Sequence, residues 1–209
     1  GGIDSAVAAA LYRRMLAPED LLLVSMPGPH TSPTTQRLGR ELADRLGTRF
    51  LELPITPGVD LTRGQFATAV ARGCGADTPG AWTLSETMLE NVQARDRGSR
   101  LLAAASAVFG GVISCNANKT EIAVGYGTLY GDIIGWLAIL GDLWKGEVYE
   151  LARHVNGDLF GEPVIPAEIL TLRPSAELSP AQAVDKGLGD PLVYPYHDKL
   201  FRSWVERWE

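Results

Sequence analysis

Three short apolar runs set among amphipathic stretches constrain this chain more than anything else in it. Leu21–Met26, bounded by Asp20 and Pro27, reads as a buried strand, and 49–55 and 111–115 read as two more. Helical patterns separate them. Ser5–Leu16 is rich in Ala, and Thr34–Leu46 carries Leu38, Leu42, Ala43 and Leu46 on a stripe stopped by Gly47. Residues 62–72 predict a further helix, followed by a glycine-rich turn through Cys74, Gly75 and Gly80. Thr83 and Glu86 have capping-box spacing, for a helix running toward Phe109 with a break near Gly98. Leu143–Val155 is the last long helix; beyond Pro163 the chain reads as loops with a short helix near 200–208. Alternation with short connections implies a mostly parallel sheet covered on both faces, a three-layer α/β/α domain. Ligands of such sheets lie beyond the carboxyl ends of the strands. The first turn of the chain, the loop from Pro27 and the segment at Asn116 should therefore meet there.

That first turn is Gly1-Gly2-Ile3-Asp4-Ser5, running straight into the Ala-rich helix. Glycines let backbone N–H groups approach a ligand closely, and a helix N-terminus adds unpaired donors and the positive end of its dipole. The turn is an anion site in outline, yet no G-x-x-x-x-G-K-[ST] occurs anywhere in the sequence. A net charge of −6 argues against a nucleic-acid partner but leaves room for a small phosphorylated substrate. No run of 18 apolar residues is present to span a membrane. Cys74 and Cys115 are too few for a disulfide scaffold and read as free thiols in a reducing cytoplasm. His30, His154 and His197 show no metal-ligand spacing.

The opening turn resembles the SGGxDS pyrophosphate loop of the N-type ATP pyrophosphatases. A second block narrows the resemblance: Asn116-Ala117-Asn118-Lys119-Thr120-Glu121, continuing through Ala123-Val124-Gly125-Tyr126 to Thr128-Leu129-Tyr130-Gly131-Asp132. It is similar to the GNK[ST]E-x-AVGY-x-TLYGD signature of NAD synthetases, above all the glutamine-dependent group. Glu90–Arg95 resembles the ENxQAR helix, and Gly141–Lys145 the GDLxK helix start. Ile165–Leu170 with Pro174–Leu178 resembles the IPxxIL…PSAEL segment. The resemblance extends from residue 1 to about residue 180, with 180–209 a poorly matched tail.

The resemblance implies an adenine nucleotide alpha hydrolase-like fold whose first strand, and the serine before Gly1, are missing from the sequence. It implies that 1–209 is a synthetase domain from a longer chain, the N-terminal glutaminase domain being absent. The implied reaction amidates deamido-NAD: its nicotinate carboxylate attacks the α-phosphate of ATP, pyrophosphate leaves with Mg²⁺, and ammonia displaces AMP. Gly1, Gly2, Ile3, Asp4, Ser5, Asn116, Lys145 and Ser175 would bind ATP, with Asp4 and Lys145 catalytic. Asn116 stands where many members carry a threonine that contacts ATP, and Ser175 where shorter members carry one. Asn91, Arg95 and Glu121 would bind deamido-NAD, and Asp4 and Glu121 would hold Mg²⁺. Arg97 lies in a stretch, with Asp96 and Arg100, that reads equally as a charged surface.

Each assignment has a plainer alternative. Asp4 and Glu121 can be helix-start carboxylates serving the dipole, and Asn91 and Arg95 a solvated face. Lys145 opens a helix, where its charge opposes the dipole, so a phosphate partner would explain it. Other enzymes with the same loop, such as GMP synthetase, argininosuccinate synthetase and tRNA-modifying enzymes, also adenylate their substrates; the 116–132 block speaks against them. A nucleotide-binding or dimerisation module without catalysis is the remaining reading. The family further implies a homodimer, with apolar Ile133–Leu140 as a candidate contact or a buried core segment.

Overall fold

A computed structural model describes residues 2–70 and 82–208. Gly1, the turn at Cys74, Gly75 and Gly80, and the end of the helix expected over 62–72 lie outside the described residues.

Helix α1 (Ile3–Met15) begins two residues before the expected Ser5, because the Gly2 carbonyl already accepts the Ala6 N–H at 3.1 Å. Its Ala6, Val7 and Ala10 are fully enclosed, and such small side chains let neighbouring helices come close. Strand β1 (Leu22–Ser25) pairs in parallel with β2 (Arg49–Glu52), Leu23 opposite Phe50. The crossover between them is α2 (Pro33–Leu46), capped by Ser32, whose Oγ accepts the Thr35 N–H. Gly47 ends it at φ +65°. The leucines of α2 pack with α1, Leu140, Val148, Val155 and Ile165 into one apolar core.

Several boundaries differ from the sequence expectation, each for a local reason. Helix α3 spans Thr56–Thr68 and starts six residues early; Thr56-Pro57-Gly58 looks like a turn, yet proline fits the first turn of a helix. Helix α4 (Glu86–Arg95) is capped by Ser85, not Thr83, the Ser85 Oγ accepting the Met88 N–H at 3.3 Å. Near Gly98 the helix does not break. A π-helical turn over 96–102 carries it into α5 (Ala103–Phe109). Gly98 is there for closeness: a Cβ would lie 2.1 Å from the Gly131 carbonyl oxygen, so the two backbones touch.

The third strand shortens to β3 (Ser114–Cys115), which pairs in parallel with β4 (Leu137–Ala138). The polar connection after β3 contains a helix, α6 (Lys119–Val124). Helices α7 (Lys145–His154) and α8 (Ala167–Thr171) follow. The final helix, α9 (Tyr194–Arg202), begins at Tyr194 rather than near 200, with Pro195 in its first turn.

The arrangement is three-layer α/β/α with parallel pairing. Among the described residues the sheet is two pairs, β1–β2 and β3–β4, and a slot of about 470 Å³ lies between them. Leu21–Met26, Phe50, Ile113 and Leu137 line that slot. The stretch Ile133–Leu140 divides: Trp136 and Leu137 face out while Leu140 is fully buried.

Candidate active site

A second hollow, of about 430 Å³, opens where the first turn of α1, the Pro27 loop, α6 and the start of α7 converge. Gly2, Ile3, Asp4 and Ser5 all line it, so the first turn of α1 forms part of its wall. Asn116, Glu121, Lys145 and Ser175 line it too.

At its floor Lys145 is 2% exposed, and its Nζ donates to Asp4 Oδ2 at 2.6 Å and Glu121 Oε1 at 3.0 Å. The ammonium also lies 4.9 Å from the Tyr194 ring centroid. Asn118, fully buried, holds the carboxylates in place. Its Nδ2 donates to Asp4 Oδ1 at 2.8 Å, while its Oδ1 accepts the Glu121 N–H at 3.1 Å and caps α6. The Glu121 side chain reaches back to the Asn118 N–H, closing a capping box. One residue type at one spacing therefore starts a helix and aims two carboxylates at one lysine.

The charges shape one another. Burial alone would lower the Lys145 pKa; Asp4 and Glu121 outweigh it and hold the ammonium above its ordinary value, protonated throughout the neutral range. Glu121 moves the other way from a free carboxylate, pushed up to about 7 by burial and by Asp4, against the pull of Lys145. Arg97 also reaches the cleft, its Nε donating to the Met26 carbonyl at 2.9 Å. Burial lowers it to about 10, with Glu177, Asp96 and Asp132 opposing, so it too is charged at neutral pH.

The remaining expected residues are placed less uniformly. Ser175 Oγ donates to the Gln182 carbonyl at 2.6 Å and accepts the Glu177 N–H, fixing the 174–178 turn at the cleft wall. Asn116 Oδ1 accepts from Ser114 Oγ. Asn91 does not line the cleft; its Oδ1 accepts from Thr128 Oγ1 at 2.9 Å. Arg95 is exposed and does not line the cleft, where Ala94, Arg97 and Gly98 supply the helix face that meets the hollow.

Three groups had no assigned role in the sequence. Asn118 was detectable, since it stands three residues before Glu121 with capping-box spacing. Glu177 sits in the left-handed region at φ +49°, and its buried carboxylate accepts the Ser32 N–H at 3.1 Å, joining the 174–178 turn to α2. Asp190 accepts from Tyr126 Oη at 2.9 Å, Tyr194 Oη at 2.8 Å and the Ala176 N–H at 2.9 Å. Both tyrosines are held well above their ordinary pKa by burial and by that carboxylate. No local pattern announces Asp190 or Glu177. Among the described residues no group of three or more His, Cys, Asp or Glu side chains is gathered to cage a metal, and no helix is long and apolar enough to cross a membrane.

The sequence model of the NAD synthase family matches residues 1–209. The glutamine-dependent NAD(+) synthetase of Acinetobacter baylyi is 37% identical over 206 residues, covering 99% of this chain and 35% of that protein. The NH(3)-dependent NAD(+) synthetase of Trichlorobacter lovleyi is 32% identical over 209 residues, covering 99% of this chain and 66% of that protein. Among solved structures, glutamine-dependent NAD+ synthetase from Acinetobacter baumannii in complex with ADP superimposes with a TM-score of 0.70 at 29% identity. That match covers 100% of this chain and 34% of the other. The chain thus spans about a third of the length of the glutamine-dependent relatives it matches.

Proposed function

The chain belongs to the NAD synthase family, and on that premise we propose that its cleft carries out the ATP-dependent amidation of deamido-NAD. The observation that carries this reading is the buried ammonium of Lys145, held between Asp4 and Glu121 beside the first turn of α1. A nicotinate carboxylate oxygen bonds the α-phosphorus of ATP and the bond to the β-phosphate oxygen breaks. Ammonia then bonds the acyl carbon, AMP leaves with the electron pair, and a proton is lost from nitrogen. The chain's residues bind and orient. The first-turn amides and helix dipole hold the departing pyrophosphate, and Lys145 supplies fixed positive charge where negative charge accumulates. Ser175, Asn116 and Arg97 complete the polar wall.

Asp4 and Glu121, side by side at the floor of the cleft, fit a cation that arrives with its phosphates. Mg²⁺ is commonly bound in that way, by one or two carboxylates plus substrate oxygens. Asp4 and Glu121 would hold it, and it would supply charge neutralisation of the triphosphate. Asn91 and Arg95, which do not line this hollow, would contact the dinucleotide outside it. A homodimer using the outward Trp136 and Leu137 and a cytoplasmic setting complete the proposal.

The test is pyrophosphate release from MgATP, followed with and without deamido-NAD, using ammonium chloride or glutamine as the nitrogen source. Release that depends on deamido-NAD, with NAD formed from ammonium and not from glutamine, is the expected result. Cys115 is buried in β3 with its Sγ 3.9 Å from the Asp132 carbonyl, a setting unlike that of a glutaminase nucleophile. Release that is indifferent to deamido-NAD would overturn the reading.

A further inference from the structure

Lys145 and Glu121 are on separate helices, and the structure shows what fixes the distance between them. The Lys145 N–H donates to Thr120 Oγ1 at 2.9 Å, and Thr120 Oγ1 donates to Asp198 Oδ1 at 2.5 Å. The second oxygen, Asp198 Oδ2, accepts the Gly146 N–H at 2.8 Å. One carboxylate on α9 thus ties the first turn of α6 to the first turn of α7. Those turns present Glu121 and Lys145 to the cleft. The neighbouring α9 residue Tyr194 places its ring beside the ammonium. Glu206, beyond α9, accepts from Lys119 Nζ at 2.7 Å and Trp144 Nε1 at 2.8 Å, reinforcing the same two helix starts.

We propose that Asp198 is a positioning residue for the cleft, locking α6 to α7 so that the Lys145 ammonium is held at the phosphate site. It touches none of the reacting atoms. The hydrogen-bond polarity demands a carboxylate. The chain runs Lys145 N–H to Thr120 hydroxyl to Asp198, and the Gly146 N–H arrives at the other oxygen, so position 198 must accept twice and donate nowhere. An asparagine cannot do this. With its NH₂ toward Thr120 the hydroxyl receives two donors and has no acceptor for its own proton; with the NH₂ toward Gly146 two donors face each other. Thr120 is fully buried, so water cannot repair either arrangement without displacing protein.

The inference rests on the phosphate-binding role proposed for Lys145, and the experiment separates the two. MgATP binding is measured by calorimetry on the full chain for D198N, T120V, T120S and K145M, with thermal unfolding of each and KM for deamido-NAD in ammonium. D198N and T120V should weaken MgATP about tenfold, with KM for the dinucleotide within twofold, while T120S, which keeps the hydroxyl, should bind like the parent. A purely structural Asp198 would instead lower the unfolding temperature and leave the affinity of the folded protein alone. D198N and T120V both binding MgATP within twofold would overturn the proposal, as would both failing to fold. If only one folds, its affinity decides. If K145M binds MgATP like the parent, the phosphate-site reading fails whatever the Asp198 arm shows.

Discussion

Two adjoining hollows of nearly equal size sit in this domain, about 430 and 470 Å³, and they differ in the charged groups that face them. They share a wall made of Ser5, Val24–Met26, Leu102, Ser114 and Asn116. One side of that wall faces Asp4, Glu121, Lys145 and Arg97; the other faces leucines, Phe50 and Phe109. Size therefore says nothing about where a nucleotide goes. Fixed charge does. The polar hollow holds the Lys145 ammonium and the Arg97 guanidinium, both charged at neutral pH, a form of preorganisation that water cannot supply. Among the described residues, the lining of the slot carries the Asp20 carboxylate and no cation to attract a phosphate.

The largest effect that would break this contrast comes from removing the charge at the centre of the polar hollow. K145M should reduce pyrophosphate release by roughly 10²–10³-fold, the scale seen when a preorganised electrostatic group is deleted from an active site. It also leaves Asp4 and Glu121 facing each other without the ammonium between them, which drives the Glu121 pKa further upward. Turnover within threefold of the parent would show that the charge is structural.

Next in size is the steric seam that carries Arg97 into the cleft. G98A would put a Cβ 2.1 Å from the Gly131 carbonyl oxygen, and both sides of that contact are backbone, so no side chain can step aside. A cost of roughly 3 kcal/mol is expected, the upper part of the range for overpacking, together with weakened nucleotide binding as the 126–132 loop is displaced. Denaturant unfolding and calorimetry read the two effects separately. A stability change under 0.5 kcal/mol would mean the helix and loop are not in forced contact.

Gly98 also shows how far sequence alone could go. A glycine inside a helical pattern suggests a break, and only the tertiary contact with Gly131 reveals that the position is selected for closeness. The opening turn, the strand at Leu21–Met26 and the Asn116–Asp132 block were legible because their chemistry is local: glycine beside a helix start, an apolar run, a cap at fixed spacing. Asp4, Glu121, Lys145, Asn116 and Ser175 all line one cleft. Arg97 and Arg95 were harder to rank, since the choice depends on a π-helical turn that no propensity predicts. Asp190 and Asp198 could not be found at all. Their partners are up to 78 residues away in sequence, and an isolated Asp after a proline-rich stretch reads as solvated surface.

A pH measurement sharpens the electrostatic side of the contrast. Glu121 has a folded pKa of about 7 against an ordinary value of 4.5, so the fold binds its proton more tightly than the unfolded chain does. Its contribution to stability is then fully present below about 4.5 and is lost as pH rises through 7. In magnesium-free buffer the unfolding free energy attributable to this group should fall by on the order of 3 kcal/mol across that window. E121Q should remove that part of the slope. An identical pH profile for parent and E121Q would show that the carboxylate titrates as an ordinary exposed one.

The smallest effect is expected on the other side of the shared wall. Phe109 closes α5, lines the apolar slot and has the Arg49 guanidinium 5.7 Å from its ring centroid. F109A removes a partly buried ring and a cation–π contact from a surface-facing position, a loss of about 1 kcal/mol in denaturant unfolding. MgATP affinity should stay within twofold, because no group that meets the phosphates touches that ring. Leu102 belongs to the shared wall and Ser106 lines the slot from α5, and neither bears a charge the nucleotide could use. If F109A weakened MgATP tenfold, the wall would be transmitting strain from one hollow to the other. The two would then have to be treated as a single site, its apolar half setting the geometry of the charged half.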